Sequence, residues 1–218
     1  MFAVTKEQLL DAYRLIKNQT VDIVNNSMIS VKAEENCFWT REDIKNNNCL
    51  CEENLISVNK EGQNSEGKTV DGRFTIDQAV FEMLPDVHCV IHLSSRYCSV
   101  WAQSGSNLPP ISYQQIQEFG GEIVCTELPM HRDGNKWQLE IAGKVKEAIE
   151  SREVDQMRAL FINKYEALVF GTDLNEAIER AILLEEFAYQ TYLVGVENAG
   201  EYTYLPYNLI GQMNENKG

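Results

Sequence analysis

Few residues in this sequence can do acid–base or metal chemistry at neutral pH, and the sequence scatters them. The histidines are His88, His92 and His131. His88 opens and His92 nearly closes the run His88-Cys89-Val90-Ile91-His92-Leu93, which reads as a buried strand. Four residues apart on a strand, the two rings share a face but stand about 13 Å apart at ~3.3 Å per residue, too far to share one ion. His131 lies in a Pro-Met-His-Arg-Asp loop, and Cys49-X-Cys51 lacks the second ligand pair of a zinc finger. His92 therefore has two readings: a metal ligand or acid–base group, or a strand-end histidine hydrogen-bonded in a cleft. Lys164, in the turn Lys164-Tyr165-Glu166, reads as a surface lysine or as a Schiff-base nucleophile, the second requiring desolvation. Arg73 is a solvated residue at a helix entry or an anion binder. The pairs Glu34-Glu35, Glu52-Glu53 and Glu185-Glu186 have no calcium-loop spacing and read as solvated faces.

The elements that position these groups are legible from period and punctuation. Thr5-Lys6-Glu7-Gln8 is a capping box followed by apolar residues at helical spacing, which predicts a helix over 6–17. Short strands are expected at 28–32, 37–40 and 55–59, the last two separated by an Asn-rich loop through Asn46, Asn47 and Asn48. Residues 60–72, with Gly62, Gly67 and Gly72, read as a surface loop. A second capping box, Thr75-Ile76-Asp77-Gln78, predicts a short helix that Pro85 stops. After the strand at 88–93 come a helix over 95–104, a break at Pro109-Pro110, a strand at 122–125 and a helix over 139–149. Strands at 158–163 and 167–170 then feed a long helix capped by Gly171-Thr172-Asp173.

Composition sets the limits. The chain has 218 residues, is 44% hydrophobic and 24% charged, and carries a net charge of −14. Such a charge supplies no phosphate-neutralising stripe for nucleic acid and is repelled by an anionic leaflet. No apolar run approaches the ~20 residues of a membrane span, and the first twenty residues are amphipathic with acids, unlike a signal core. A cytoplasmic chain is expected, with its six cysteines as mostly buried free thiols. Nothing divides it: residues 1–200 form one α/β domain, and 201–218 form an aromatic tail that packs on its own domain or on a neighbouring subunit.

The order of these motifs resembles the class II aldolase/adducin family over roughly residues 8–195. The resemblance is carried by Ser27-Met28-Ile29-Ser30-Val31, Phe38-Trp39-Thr40-Arg41-Glu42-Asp43, Pro85-Asp86 with the strand to Ser94, and Leu108-Pro109. Phe119-Gly120-Gly121-Glu122-Ile123 and Phe161-Ile162-Asn163 through Ala177 complete it. It implies a three-layer α/β/α fold with a mixed, largely antiparallel sheet, and a homo-oligomer, usually a tetramer. In active members three histidines hold a zinc that stabilises an enediolate formed from a small phosphorylated sugar, and a glutamate moves the proton.

On this sequence the first ligand position is His92, but the second falls on Ser94, the third on Lys164 and the base on Arg73. The resemblance therefore gives Lys164 a third reading, an ammonium standing where the metal stood. One imidazole, one hydroxyl and one ammonium do not make a zinc site. The expectation is a protein without catalytic residues or cofactor, acting as a binding or assembly module and taking a protein partner in that role. The alternative is a divergent aldehyde-lyase or isomerase, with zinc as its cofactor, for a small carbonyl compound.

Overall fold

The apolar run after His88 becomes the middle of a sheet. In this computed structural model, which describes residues 4–20, 26–44, 50–130, 134–151, 157–198, 200 and 202, strand β4 (Cys89–Leu93) is buried at every position. Its neighbours are β1 (Met28–Glu34) and β6 (Ala167–Gly171). With β2 (Cys37–Arg41), β3 (Leu55–Val58) and β5 (Ala159–Phe161) they form a six-stranded sheet in the order β3-β2-β1-β4-β6-β5. Each pairing of neighbours is antiparallel. The parallel character is confined, among the described residues, to the isolated bridge between Cys125 and Phe161.

Helices cover both faces. On one, α1 (Lys6–Thr20), α3 (Arg96–Ser104) and α6 (Leu174–Glu197) pack over Ile29, Val31, Cys89, Ile91, Leu93 and Val169. On the other, α2 (Phe74–Met83) and α5 (Gly134–Glu150) pack over Val90, Leu160, Leu168 and Phe170. This is the expected three-layer α/β/α arrangement. A central strand covered on both faces has no polar side, which is why β4 reads as a continuous apolar run. Each Leu or Ile buried here contributes roughly 1.5–3 kcal/mol. Side chains alternate, so Val90 and His92 face the α2/α5 layer while Cys89, Ile91 and Leu93 face the other.

Local signals account for several helix starts. Thr5 and Gln8 close the first capping box in both directions, Thr5 N donating to Gln8 Oε1 at 2.9 Å and Gln8 N to Thr5 Oγ1 at 3.2 Å. Asp173 caps α6 by accepting from Glu176 N at 2.9 Å. The box expected at Thr75 does not form. Helix α2 starts earlier, and Asp71 Oδ1 takes Arg73 N at 3.1 Å, while the Gln78 amide donates to Lys60 O instead. Residues 122–125 do not make a regular strand. Ile123 and Cys125 form only isolated bridges, and Cys125 N donates to the Asn107 side chain at 2.7 Å rather than to a ladder. A short helix not expected from the sequence, α4 (Tyr113–Phe119), follows Pro110, with Ser112 capping it through Gln115 N. No helix among the described residues is long and apolar enough to cross a membrane. Cys89 and Cys98 are buried free thiols, Cys37 and Cys125 are half-buried and Cys51 is exposed. The Asn-rich loop, Cys49, His131 and most of the tail lie outside the described residues.

Candidate functional site

Four segments far apart in sequence bring charges to the α2 side of β4. Arg41 ends β2; Asp71 and Arg73 form the turn into α2, and Asp77 sits one helical turn further on. His92 comes from β4, and Glu166 ends the turn between β5 and β6. Within the sheet His92 lies between Met28 of β1 and Leu168 of β6. All of these side chains are at least largely buried, with His92 and Asp77 at 0% exposure.

They form one chain of alternating sign. Arg41 Nε donates to Asp71 Oδ2 at 3.0 Å. Arg73 grips Asp71 with Nε on Oδ1 at 3.1 Å and Nη2 on Oδ2 at 2.8 Å, and its Nη1 reaches Glu166 Oε2 at 3.3 Å. The other Glu166 oxygen lies 2.7 Å from His92 Nδ1, and Asp77 Oδ1 lies 2.7 Å from His92 Nε2. Unprotonated carboxylates only accept, so the two contacts on the ring require two protons among the three groups. An imidazolium between two carboxylates meets that requirement. Arg41, Arg73 and His92 then balance Asp71, Glu166 and Asp77, and no net charge is buried.

The electrostatics agree with this protonation. Burial works against a charged ring, but the fields of Asp77 and Glu166 and their hydrogen bonds outweigh it and push the His92 pKa up to about 9. Burial likewise opposes ionisation of Glu166, and His92 and Arg73 overcome it, holding its carboxyl below the usual range. Asp71 is desolvated too, yet its bonds to Arg73 and the charge of Arg41 keep it well below the ordinary carboxylate range.

The residues singled out by sequence part company here. His92 is in the cluster, and so is Arg73, which is 3% exposed and ion-paired rather than solvated. Ser94 is half-buried, its backbone N–H donating to Ser27 Oγ at 3.1 Å. Lys164 does not join them. It is exposed, has φ of 61°, and its ammonium donates to Gln103 O at the end of α3, where a cation suits the helix dipole. The readings of Lys164 as a stand-in for the metal charge and as a desolvated nucleophile are corrected to that of a surface-turn lysine. Glu185 also departs from expectation. It is 8% exposed and caps α3 by accepting from Ser95 Oγ at 2.5 Å, Tyr97 N at 2.9 Å and Cys98 N at 2.9 Å. Glu34, Glu35, Glu52, Glu53 and Glu186 are exposed, as expected.

Sequence reasoning missed Arg41, Asp71, Asp77 and Glu166 as partners. The nearest available signal was Arg73 and Asp77, an i,i+4 pair of opposite charge at the start of α2.

Zinc does not fit the donor set at the family positions. Both nitrogens of His92 are engaged by carboxylates, Ser94 offers a hydroxyl, and Lys164 faces away as a cation. Among the described residues, no group of three His, Cys, Asp or Glu side chains is arranged to hold a metal ion.

Comparison with known proteins places this geometry. The family model described as the class II aldolase and adducin N-terminal domain matches residues 7–192. The L-ribulose-5-phosphate 4-epimerase UlaF of Salmonella paratyphi A is 23% identical over 142 residues, a match that spans 62% of this chain and 62% of that protein. Among solved structures, an L-fuculose 1-phosphate aldolase superposes with a TM-score of 0.78 at 17% identity, covering 97% of this chain and 94% of that one. YgbL of Escherichia coli superposes with a TM-score of 0.76 at 17% identity, covering 95% and 96%. With its family model spanning most of the sequence, the chain belongs to the class II aldolase and adducin family.

Proposed function

We propose that this protein is a class II aldolase-like domain that does not carry out zinc-dependent aldol or epimerase chemistry and works in the cytosol as a binding or assembly module. One observation carries the reading: the histidine at the first ligand position is held on both nitrogens by Asp77 and Glu166, in a chain that also ties up Arg73 at the position of the base. An imidazolium has no lone pair to give a metal, and a guanidinium cannot take a proton from a carbon acid. Support for assembly comes from the end of α6, where Tyr192, Leu193 and Val196 are 41%, 44% and 62% exposed, and from Val100 on α3, 42% exposed. A homo-oligomer, a tetramer by family resemblance, is the form in which such side chains are covered.

The test is zinc analysis of the purified protein together with aldol-cleavage and epimerisation assays on a panel of small sugar phosphates. Substoichiometric zinc and no turnover are expected. About one zinc per chain that disappears in His92→Ala, or turnover of any panel member, overturns the proposal. The names of the relatives, an epimerase and an aldolase, favour a second reading, a divergent lyase or isomerase for a small carbonyl compound. The same assays choose between the two. Light scattering on a size-exclusion column tests assembly, and a single 24.9 kDa species argues against it.

A further inference from the structure

We infer that Asp77 and Glu166, by closing on both nitrogens of His92, are what exclude a metal ion from this cleft, so that histidines restored at positions 94 and 164 do not by themselves make a metal site. The inference rests on the reading that the natural chain binds no zinc at His92, and it assigns the cause to two residues outside the family's ligand positions.

The imidazole ring has two nitrogens, and a metal-bound histidine commonly gives one to the ion and the other, as N–H, to a carboxylate behind it. One carboxylate on His92 is thus compatible with a metal ligand, but two are not. Here each nitrogen has a carboxylate oxygen at 2.7 Å, and the ring is completely enclosed.

The two carboxylates differ in how they are held. Glu166 is anchored from behind, since its second oxygen accepts from Arg73, which is itself fixed on Asp71 and on Asn26 O at 2.7 Å. It has the geometry of an orienting group. Asp77 Oδ2, in contrast, has no hydrogen-bond partner although it is buried. Removing Asp77 therefore frees Nε2 while leaving Glu166 and its arginine in place.

The other two positions lie in the segments that carry the ion chain, Ser94 two residues after His92 and Lys164 two before Glu166, although the Lys164 ammonium is turned to Gln103 O. Ser94 is half-buried beside the strand end. Lys164 has φ of 61°, a conformation that histidine adopts more readily than most residues. Among the described residues neither side chain is hydrogen-bonded to the ion chain, so replacing it removes none of that chain's bonds.

The experiment titrates zinc chloride by calorimetry into the natural protein, Ser94→His/Lys164→His, and the same pair combined with Asp77→Ala. Circular dichroism checks each fold. No site-specific binding is expected for the first two. The triple variant is expected to bind one zinc per chain where the double binds none, because Glu166 then stands alone behind the ring, as the carboxylate behind a metal-bound histidine does. Equal binding by the double and triple variants overturns the inference, as does a folded triple variant no better than the double. If the alanine variant does not fold, the isosteric Asp77→Asn in the same background is held to the same two outcomes. Zinc bound by the natural protein and lost in His92→Ala is a different result, which overturns the underlying functional reading.

Discussion

His88 and His92 stand at opposite ends of one short stretch of chain, and the protein treats them in opposite ways. His92 is sealed, with a carboxylate on each nitrogen and Arg73 behind one of them. His88 is half-buried, and its backbone is held by Gly171 O and Lys32 N, but its Nδ1 has no partner. It lines a cleft of about 1140 Å³ between the start of α6 and α1, with Asp11, Asp86 and Asp173 among the other lining residues. Residue type is the same, but the shared face expected from alternation is not found: His92 meets Asp77 of α2, whereas His88, one residue before β4, lines the cleft against α1 and α6 on the opposite layer. Acids within 3 Å on both nitrogens make the His92 imidazole a structural cation, whereas the acids around His88 are spread along an open cleft. Chemistry at a histidine is decided by what distant segments deliver to it.

The comparison can be broken most directly at Glu166. Glu166→Ala removes one partner from both Arg73 and His92 and leaves their charges buried, so a loss of about 3–5 kcal/mol is expected from urea unfolding. A loss under about 1 kcal/mol would mean that the cluster does not cross-link the sheet and α2.

The next effect is in pH. The folded-state pKa of His92 is raised from 6.5 to about 9, so its stabilisation is complete below pH 6.5 and is lost as pH rises through about 9. The shift corresponds to about 3 kcal/mol. Glu166 runs the other way, its depressed pKa making its contribution present above the normal carboxylate range and lost in acid. The stability gap between the natural protein and His92→Gln should be widest between pH 5 and 6.5 and narrow by pH 9.5. A gap that stays constant to pH 9.5 refutes the charged ring.

The smallest effects sharpen the contrast. His88→Ala and Lys164→Ala are each expected to change stability by less than about 0.5 kcal/mol, the usual range for side chains outside a packed or ion-paired site. A cost at His88 comparable to that at His92 would abolish the distinction between the two ends.

Much of the frame is legible in the amino-acid sequence, and the reason is locality. The Thr5–Gln8 box, the Asp173 cap and the apolar run of β4 are signals carried by residues within a few positions of one another. The departure of Arg73, Ser94 and Lys164 from the metal pattern that the family resemblance implies is legible too, because it compares single positions. What holds His92 is not. The bonds from His92 to Asp77 and Glu166 cross 15 and 74 residues, and that from Arg73 to Glu166 crosses 93. Glu166 reads as a turn acid and Asp77 as the third residue of a capping box, until folding sets them on either side of one ring. Glu185 reads as a solvated acid for the same reason, since the helix it caps begins 89 residues earlier in the chain.

The alternating ions also constrain the order in which the molecule forms. Arg41, Asp71, Asp77, His92 and Glu166 belong to segments that meet only when the sheet is complete from β2 to β6 and α2 has docked on it. A partly assembled cluster would hold an unmatched charge out of water, so these contacts should close near the end of folding rather than in its nucleus. Damage to the cluster would then shorten the lifetime of the folded state while leaving the refolding rate almost untouched. The ionic chain is in that sense a latch on the finished structure, set last and released first.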